Sequence, residues 1–150
     1  MSTSDIWICY TIRMRCFILF LTILLTSTNC YARHIFRESE YQAYWCGKHN
    51  GIMEYKLKDR TRVDCLTEQY AVEVDFAKKW AECIGQALYY GERTKKYPAC
   101  VLIMENGEKD IKYLRRLRYV AYKKGIRTFT ITPDKLHKLL IEEVAEQTAK

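Results

Sequence analysis

The sequence lacks the patterns that mark several common kinds of reactive site. It contains no CxxC pair and no Cys/His spacing of the type that binds zinc. It has no glycine-rich loop that could surround a phosphate group, and its three histidines are scattered, with no Ser/His/Asp or Cys/His arrangement. These absences exclude a zinc-finger module and a P-loop nucleotide site. The chain also shows no internal repeat and no low-complexity segment.

No hydrophobic run is long enough for a full membrane-spanning helix. The apolar run at 16–25 is about half of the roughly 20 residues that such a helix needs. It follows two arginines and precedes small and polar residues, which predicts a signal peptide over 1–32, with translation starting at Met1 or Met14. We therefore expect export to a bacterial periplasm or the medium, without stable membrane association once the signal is cleaved. An uncleaved N-terminal anchor is the alternative.

The remaining residues, 33–150, have the length of one domain and are basic. Removal of 1–32 takes away two arginines and one aspartate, so the net charge falls only from +7 to about +6. A basic exported domain can bind nucleic acid, anionic lipid or an acidic envelope polymer. Many basic domains bind none of these, so charge alone does not choose a partner.

Four cysteines follow the predicted signal peptide. An oxidising compartment would permit disulfides among them. Four cysteines allow three pairings, and the sequence does not choose among these or against four buried thiols. The residues are Cys46, Cys65, Cys83 and Cys100.

Hydrophobic periodicity predicts four helices and five strands in an α/β chain. Three short strands close together favour an antiparallel meander, and the later strand–helix–strand units favour parallel crossovers. The result is a mixed sheet flanked by helices. Helices are predicted at 35–48, 78–94 and 111–124 and from Pro133 onward, and strands at 52–57, 62–67, 71–77, 99–105 and 126–132.

An acidic cluster is predicted on the second and third strands, in the segment TRVDCLTEQYAVEVDF. Acidic residues are poor strand formers, yet alternation places Glu73 and Asp75 on the same face of one strand. If the two strands form a hairpin, Asp64 shares that face. Like charges this close repel one another, so a divalent cation or a neighbouring lysine or arginine must compensate for them. Oxygen ligands of this kind suit Mg²⁺ or Mn²⁺.

The same alternation predicts which side chains face the core. Val63 and Cys65 are expected to share the core-facing side of the second strand. The alternative is that the three acidic residues form the solvated face of a one-sided sheet, with Arg62 paired to Glu73 or Asp75 across the strands.

The helix after the third strand supplies a cation and an amide. Lys79 and Gln86 lie on its polar face, where Lys79 is placed to lie over the carboxylates. Such a lysine can orient a water molecule and offset phosphate charge in metal-assisted phosphodiester cleavage. An ordinary surface lysine and a solvent-facing glutamine are the alternatives.

The order of elements and the quoted segment resemble the PD-(D/E)xK nuclease superfamily, in particular its small exported bacterial members. The resemblance implies a restriction-endonuclease-like αβββαβ core, here followed by a helix–strand–helix extension. It further implies hydrolysis of phosphodiester bonds, in DNA rather than RNA, with Mg²⁺ or Mn²⁺ as cofactor. The sequence departs from the family motif at Asp75, where the family usually has a lysine, and Lys79 is the candidate replacement.

The resemblance also implies roles for individual residues. Asp64, Glu73, Lys79 and Gln86 would be catalytic, and Asp64, Glu73 and Asp75 would bind the metal. An accessory acid would come from Glu38, Glu40 or Glu54.

A strongly basic helix is the candidate nucleic-acid contact. Its cations Lys112, Arg115, Arg116 and Arg118 are expected to hold the phosphate backbone, although such a helix is often only a solvated surface. If catalysis is lost, the alternative function is a non-catalytic nucleic-acid-binding or structural module on the same fold. A third hypothesis is an exported domain that binds an anionic surface or another protein.

Overall fold

The computed structural model describes residues 34–148, so the predicted signal peptide lies outside the described residues. No helix among them is long and apolar enough to cross a membrane. In chain order the elements are α1 (Glu38–Lys48), β1 (Ile52–Lys56), β2 (Arg62–Leu66), β3 (Tyr70–Phe76), a 3₁₀ turn (Ala77–Lys79), α2 (Trp80–Thr94), β4 (Tyr97–Ile103), α3 (Glu108–Lys124), β5 (Arg127–Ile131) and α4 (Pro133–Thr148).

The five strands form one mixed sheet in which their spatial order is their chain order. The first three are antiparallel to their neighbours, whereas β3, β4 and β5 run parallel. Parallel neighbours need a crossover connection, which α2 and α3 supply. The predicted order of elements, the meander and the mixed sheet are therefore confirmed.

Each face of the sheet is covered by a pair of helices. One core contains Tyr41 and Trp45 of α1 and Leu136 of α4, packed with the even-numbered β3 residues Val72 and Val74. The other contains side chains of α2 and α3 packed against β4, among them Cys83, Leu102 and Leu117. Because both faces are covered, the odd-numbered residues of β3 are also buried, and two of these are acidic.

Helix α1 begins at Glu38, three residues later than periodicity predicts. The backbone amides of Ile35 and Phe36 donate hydrogen bonds to a carboxylate oxygen of Glu105, at the end of β4. The Glu105 carboxylate therefore ties the segment before α1 to the chain that follows β4, and the regular helix begins after this segment.

One disulfide joins α1 to β2, between Cys46 and Cys65, while Cys83 and Cys100 are free and buried. Gly51 lies against this disulfide. A Cβ atom there would overlap the Cys65 sulfur and come within 2.7 Å of the Cys46 sulfur. A glycine is therefore required where the chain passes the disulfide to enter β1.

Candidate functional site

Two acidic side chains of β3 are buried beneath helix α2. Glu73 is 5% exposed and Asp75 is 2% exposed, and Asp64 of β2 is partly buried beside them. We call these three residues the carboxylate cluster. The alternative in which they form a solvated face is therefore wrong for Glu73 and Asp75, because helices cover both faces of the sheet at β3.

Hydrogen bonds and ion pairs within the described residues satisfy some oxygen atoms of the carboxylate cluster but not two others. Oδ2 of Asp64 accepts a hydrogen bond from the backbone N–H of Val74 at 2.8 Å. Oδ1 of Asp75 lies 3.2 Å from Nζ of Lys79. Oε2 of Glu73 and Oδ2 of Asp75 are buried without a hydrogen-bond partner among the described residues. Buried polar atoms are almost always paired, so these two mark the cluster as incomplete by itself.

The lysine reaches the carboxylates from the 3₁₀ turn that follows β3. Its Nζ lies between Asp75 and Oε2 of Glu38, which is 3.5 Å away in the first turn of α1. Of the three candidate accessory acids, Glu38 is the one whose carboxylate pairs with Lys79. Glu40 instead accepts a hydrogen bond from the backbone N–H of Arg37 and caps its own helix.

Burial raises the pKa of all three carboxyl groups. Loss of solvent, reinforced by the charges of Asp64 and Asp75, raises the pKa of Glu73 to about 9. Burial also raises the pKa of Asp64 to about 7, although the hydrogen bond from Val74 opposes it. The pKa of Asp75 rises only to about 6, because the Lys79 ammonium counteracts burial. At neutral pH Glu73 therefore keeps its proton, and Asp75 carries the negative charge that faces Lys79.

The sheet is distorted where the cluster sits. The ladder between β2 and β3 pairs Cys65 with Val72 and stops there. On the other side of β2, Glu54 lies opposite Asp64 with a φ of 52°, in the left-handed region. Such a backbone conformation costs a non-glycine residue roughly 1–3 kcal/mol, and strain of this kind concentrates at functional sites.

The distortion overturns one prediction about side-chain faces. Cys65 packs with Val72 in the core beneath α1, whereas Val63 packs with Ala71 and Tyr90 near α2. The prediction that Val63 and Cys65 share one face is wrong. Strict alternation assumes a regular strand, and β2 is irregular at the residue between them.

A glutamine that sequence reasoning missed holds this region together. Nε2 of Gln42, in α1, donates to Oε1 of Glu54 at 2.8 Å and to the backbone oxygen of Asp64 at 2.7 Å. The other carboxylate oxygen of Glu54 pairs with Arg62 at 3.3 Å, so the predicted pairing of Arg62 with Glu73 or Asp75 is wrong. The sequence could have pointed to Gln42, because it lies four residues after Glu38 and therefore on the same face of α1.

Gln86 has a tyrosine, and not a carboxylate, as its side-chain hydrogen-bond partner among the described residues. Its Oε1 accepts a hydrogen bond from the Tyr90 hydroxyl at 3.4 Å. Burial, together with the nearby charges of Glu73 and Asp64, raises the pKa of Tyr90 to about 12. Tyr90, which no motif identified, is thus an α2 side chain that lies electrostatically close to the cluster.

The donor atoms of the carboxylate cluster match a hard divalent cation in kind. They are all carboxylate oxygens, and two of them are buried and unpaired. Within residues 34–148, however, no group of three or more His, Cys, Asp or Glu side chains is arranged so that it could hold a metal ion. Binding of Mg²⁺ or Mn²⁺ would therefore require these side chains to move.

Helix α3 presents a basic and aromatic surface to solvent. Its exposed side chains recur at spacings of three and four residues, which places them on one face. Tyr119 is 68% exposed and Tyr122 is 91% exposed. We call this surface the α3 face, and it consists of Lys112, Arg115, Arg116, Tyr119, Tyr122 and Lys123.

Comparisons with known proteins give one distant relationship. No family model matches this chain, and no solved structure matches it. A KilA-N domain-containing protein of Acanthamoeba polyphaga mimivirus is 29% identical over 98 residues. The match covers 63% of this chain and 37% of that protein, so the chain spans little more than a third of the relative's length.

Proposed function

We propose that this domain binds nucleic acid through the α3 face. The observation that carries the proposal is the character of that surface, where four exposed cations share one helix face with two exposed tyrosines. Among residues 34–148, none of its lysines or arginines forms an ion pair with a carboxylate. Their charge is therefore available to an external anion.

The two residue types of the α3 face suit the two parts of a nucleotide. Lysine and arginine neutralise phosphates and release bound counterions, which makes binding salt-dependent but insensitive to sequence. Exposed tyrosine rings can stack on bases, and large aromatic side chains this exposed have no role in the core. The name of the viral relative supports the same class of partner, because KilA-N is a DNA-binding domain.

Removal of charge from the α3 face tests this proposal. The variant Lys112→Ala/Arg115→Ala/Arg116→Ala should bind DNA more weakly, and its slope of log affinity against log salt should fall by up to about 3. The control is Lys56→Ala/Lys58→Ala/Arg60→Ala, which removes equal charge near the opposite sheet edge. Equal losses in both variants would show that net charge, and not the α3 face, governs binding.

A second candidate function is divalent-cation-dependent hydrolysis of phosphodiester bonds. The observation that favours it is the pair of unpaired, buried oxygen atoms on Glu73 and Asp75. Asp64, Glu73 and Asp75 would hold Mg²⁺ or Mn²⁺, which would supply charge neutralisation for the phosphate. The likeness to PD-(D/E)xK nucleases supports the same assignment.

In this candidate function, Lys79 takes the place of the missing motif lysine. It stands four residues after Asp75 in sequence, and its Nζ reaches that carboxylate from the 3₁₀ turn. From there it would hold Asp75 ionised and orient a water molecule. Gln86 would position the water or substrate only after its side chain leaves the Tyr90 hydroxyl.

Two measurements test this candidate together. Mg²⁺ or Mn²⁺ should raise the melting temperature of the protein, since a ligand that binds only the folded state stabilises it. The same ions should also support DNA cleavage. Glu73→Gln should lose both effects while keeping its affinity for DNA. Cleavage that is equal in the wild type and in Glu73→Gln would rule out catalysis at the carboxylate cluster.

We also propose that the protein works in an oxidising compartment, as export would provide. The disulfide between Cys46 and Cys65 supports this, because such bonds persist outside the reducing cytosol. Cell fractionation combined with mass spectrometry of the unreduced protein tests it. Recovery of the reduced, full-length chain from the cytosol would contradict it.

A further inference from the structure

A concave surface lies at the free edge of the sheet, along β5. It is a cleft of about 560 Å³ between the last turn of α1, strand β5 and the first turn of α4. Its size is within the range of small-molecule sites. We call it the aromatic cleft, because its walls include Trp45, His49 and Phe129.

The rings in the aromatic cleft form an ordered stack. The His49 ring lies 3.8 Å from the Trp45 ring at an interplanar angle of 14°. Nδ1 of His49 donates to the backbone oxygen of Trp45 at 2.7 Å, which fixes the ring in that position. The tilted ring of Phe129 lies 5.2 Å from Trp45. Trp45 is buried while His49 is exposed, so the outer face of the imidazole offers a planar surface to a further ring.

Cations from three different helices surround these rings. Lys48 comes from α1, Arg118 from α3 and Lys135 from α4, and none of the ten lining residues is acidic. The cleft is therefore complementary to a planar ring that carries negative charge. Arg118 belongs to the same helix as the α3 face, so a chain bound along that face can continue into the cleft.

We propose that the aromatic cleft binds one unpaired nucleobase together with its phosphate, which makes single-stranded nucleic acid the substrate class. The proposal rests on the nucleic-acid binding proposed above. The base stacks on the outer face of His49, and the phosphate lies between Lys48, Arg118 and Lys135. A base within a duplex already has neighbours on both faces, so it cannot enter the cleft without leaving its helix.

The test measures the affinity of the full chain for three DNA probes of equal length, which differ in strand type or in base content. These are a single-stranded oligonucleotide, the same strand with abasic positions, and a duplex. Base–aromatic stacking typically changes affinity by roughly tenfold or more, so the intact strand should bind at least about tenfold more tightly than the abasic one. It should also bind more tightly than the duplex.

Substitution at His49 links that preference to the cleft. His49→Ala should lose the preference for the intact over the abasic strand while abasic binding stays unchanged, and His49→Tyr should restore it. The control is Tyr55→Ala, which removes a 39% exposed ring on β1, at the opposite edge of the sheet from the cleft.

The possible failures are distinguishable. Equal binding of intact and abasic strands, or tighter binding of the duplex, overturns the cleft proposal and leaves nucleic-acid binding in place. A preference that survives His49→Ala likewise overturns it. If the wild type binds none of the three probes, the proposed function fails as well.

Discussion

At the scale of the residue, the carboxylate cluster is a set of groups that are costly to ionise together. The repulsion is reduced because Glu73 keeps its proton at neutral pH. The charge of Asp75 is balanced by the ammonium group of Lys79. Alternation in the sequence predicts that Glu73 and Asp75 share a face. It does not predict that the face is buried, because burial depends on α2 packing over β3, a long-range contact. Nor does it predict the structural role of Gln42 in α1, because its hydrogen-bond partners lie on two strands, β1 and β2.

Glu73 makes folding stability depend on pH. Folded Glu73 keeps its proton up to about pH 9, whereas an unfolded glutamate loses it near its usual pKa of 4.5. Between these values the unfolded state binds fewer protons, so the free energy of unfolding falls as pH rises. We expect Glu73→Gln to remove the Glu73 contribution to this decline, while those of Asp64 and Asp75 remain. The stability of the variant relative to the wild type should therefore be about 1–4 kcal/mol greater at pH 8 than at pH 5.

Denaturant titrations at the two pH values measure this difference. Glu68→Gln is the matched control, because Glu68 is exposed and the same chemical change there should leave the pH dependence intact. Parallel pH curves for the wild type and Glu73→Gln would mean that Glu73 is ionised in the folded protein.

The close approach of Gly51 to the disulfide should make this position intolerant of a larger side chain. Gly51→Ala places a methyl group against the disulfide sulfurs, so it should destabilise the oxidised protein by roughly 1–3 kcal/mol. The loss should shrink when Cys46 and Cys65 are both alanine, since the opposing sulfur atoms are then gone. Chemical denaturation of the four proteins in this double-mutant cycle measures the coupling. Additive effects would show that the glycine is required for another reason.

At the scale of the element, the sequence predicts order better than geometry. Hydrophobic patterning identifies all nine regular elements within 34–148, because the helices show a period of 3.6 residues and the strands show either alternation or, in β4, a continuous apolar run. It misplaces the start of α1, which a side chain from the distant Glu105 decides. It also misassigns the faces of β2, where Val63 and Cys65 pack into different cores.

The disulfide between α1 and β2 should account for a large part of the stability. It closes a loop with a sequence separation of 19. Cross-links of this span stabilise by about 3 kcal/mol, mainly by restricting the unfolded chain. We expect Cys46→Ala/Cys65→Ala to lower the free energy of unfolding by about 2–4 kcal/mol in urea titrations.

A reducing agent supplies the internal control for the disulfide. It should destabilise the wild type by a similar amount and leave Cys46→Ala/Cys65→Ala unchanged, because Cys83 and Cys100 are already free. A further loss in the double variant on reduction would indicate that these two also pair.

At the scale of the whole molecule, protection from solvent is concentrated in the middle of the sheet. Five consecutive residues of β3 and five of β4 are buried, whereas every residue of β1 is exposed. Local opening is easiest where few apolar contacts must break. Hydrogen exchange followed by mass spectrometry should therefore show amides of β3 and β4 exchanging last and those of β1 first. Equal protection of β1 would imply a covering partner at that edge.

The sheet order has a consequence for synthesis on the ribosome. Every strand lies beside the strand that preceded it, so the sheet can grow at one edge as the chain emerges. No strand has to insert between two that are already paired. The nascent chain can complete its first three strands before β5 has been translated. Because domains begin to fold while they are still being made, this order shortens the time for which the apolar faces of β3 and β4 stay open to aggregation.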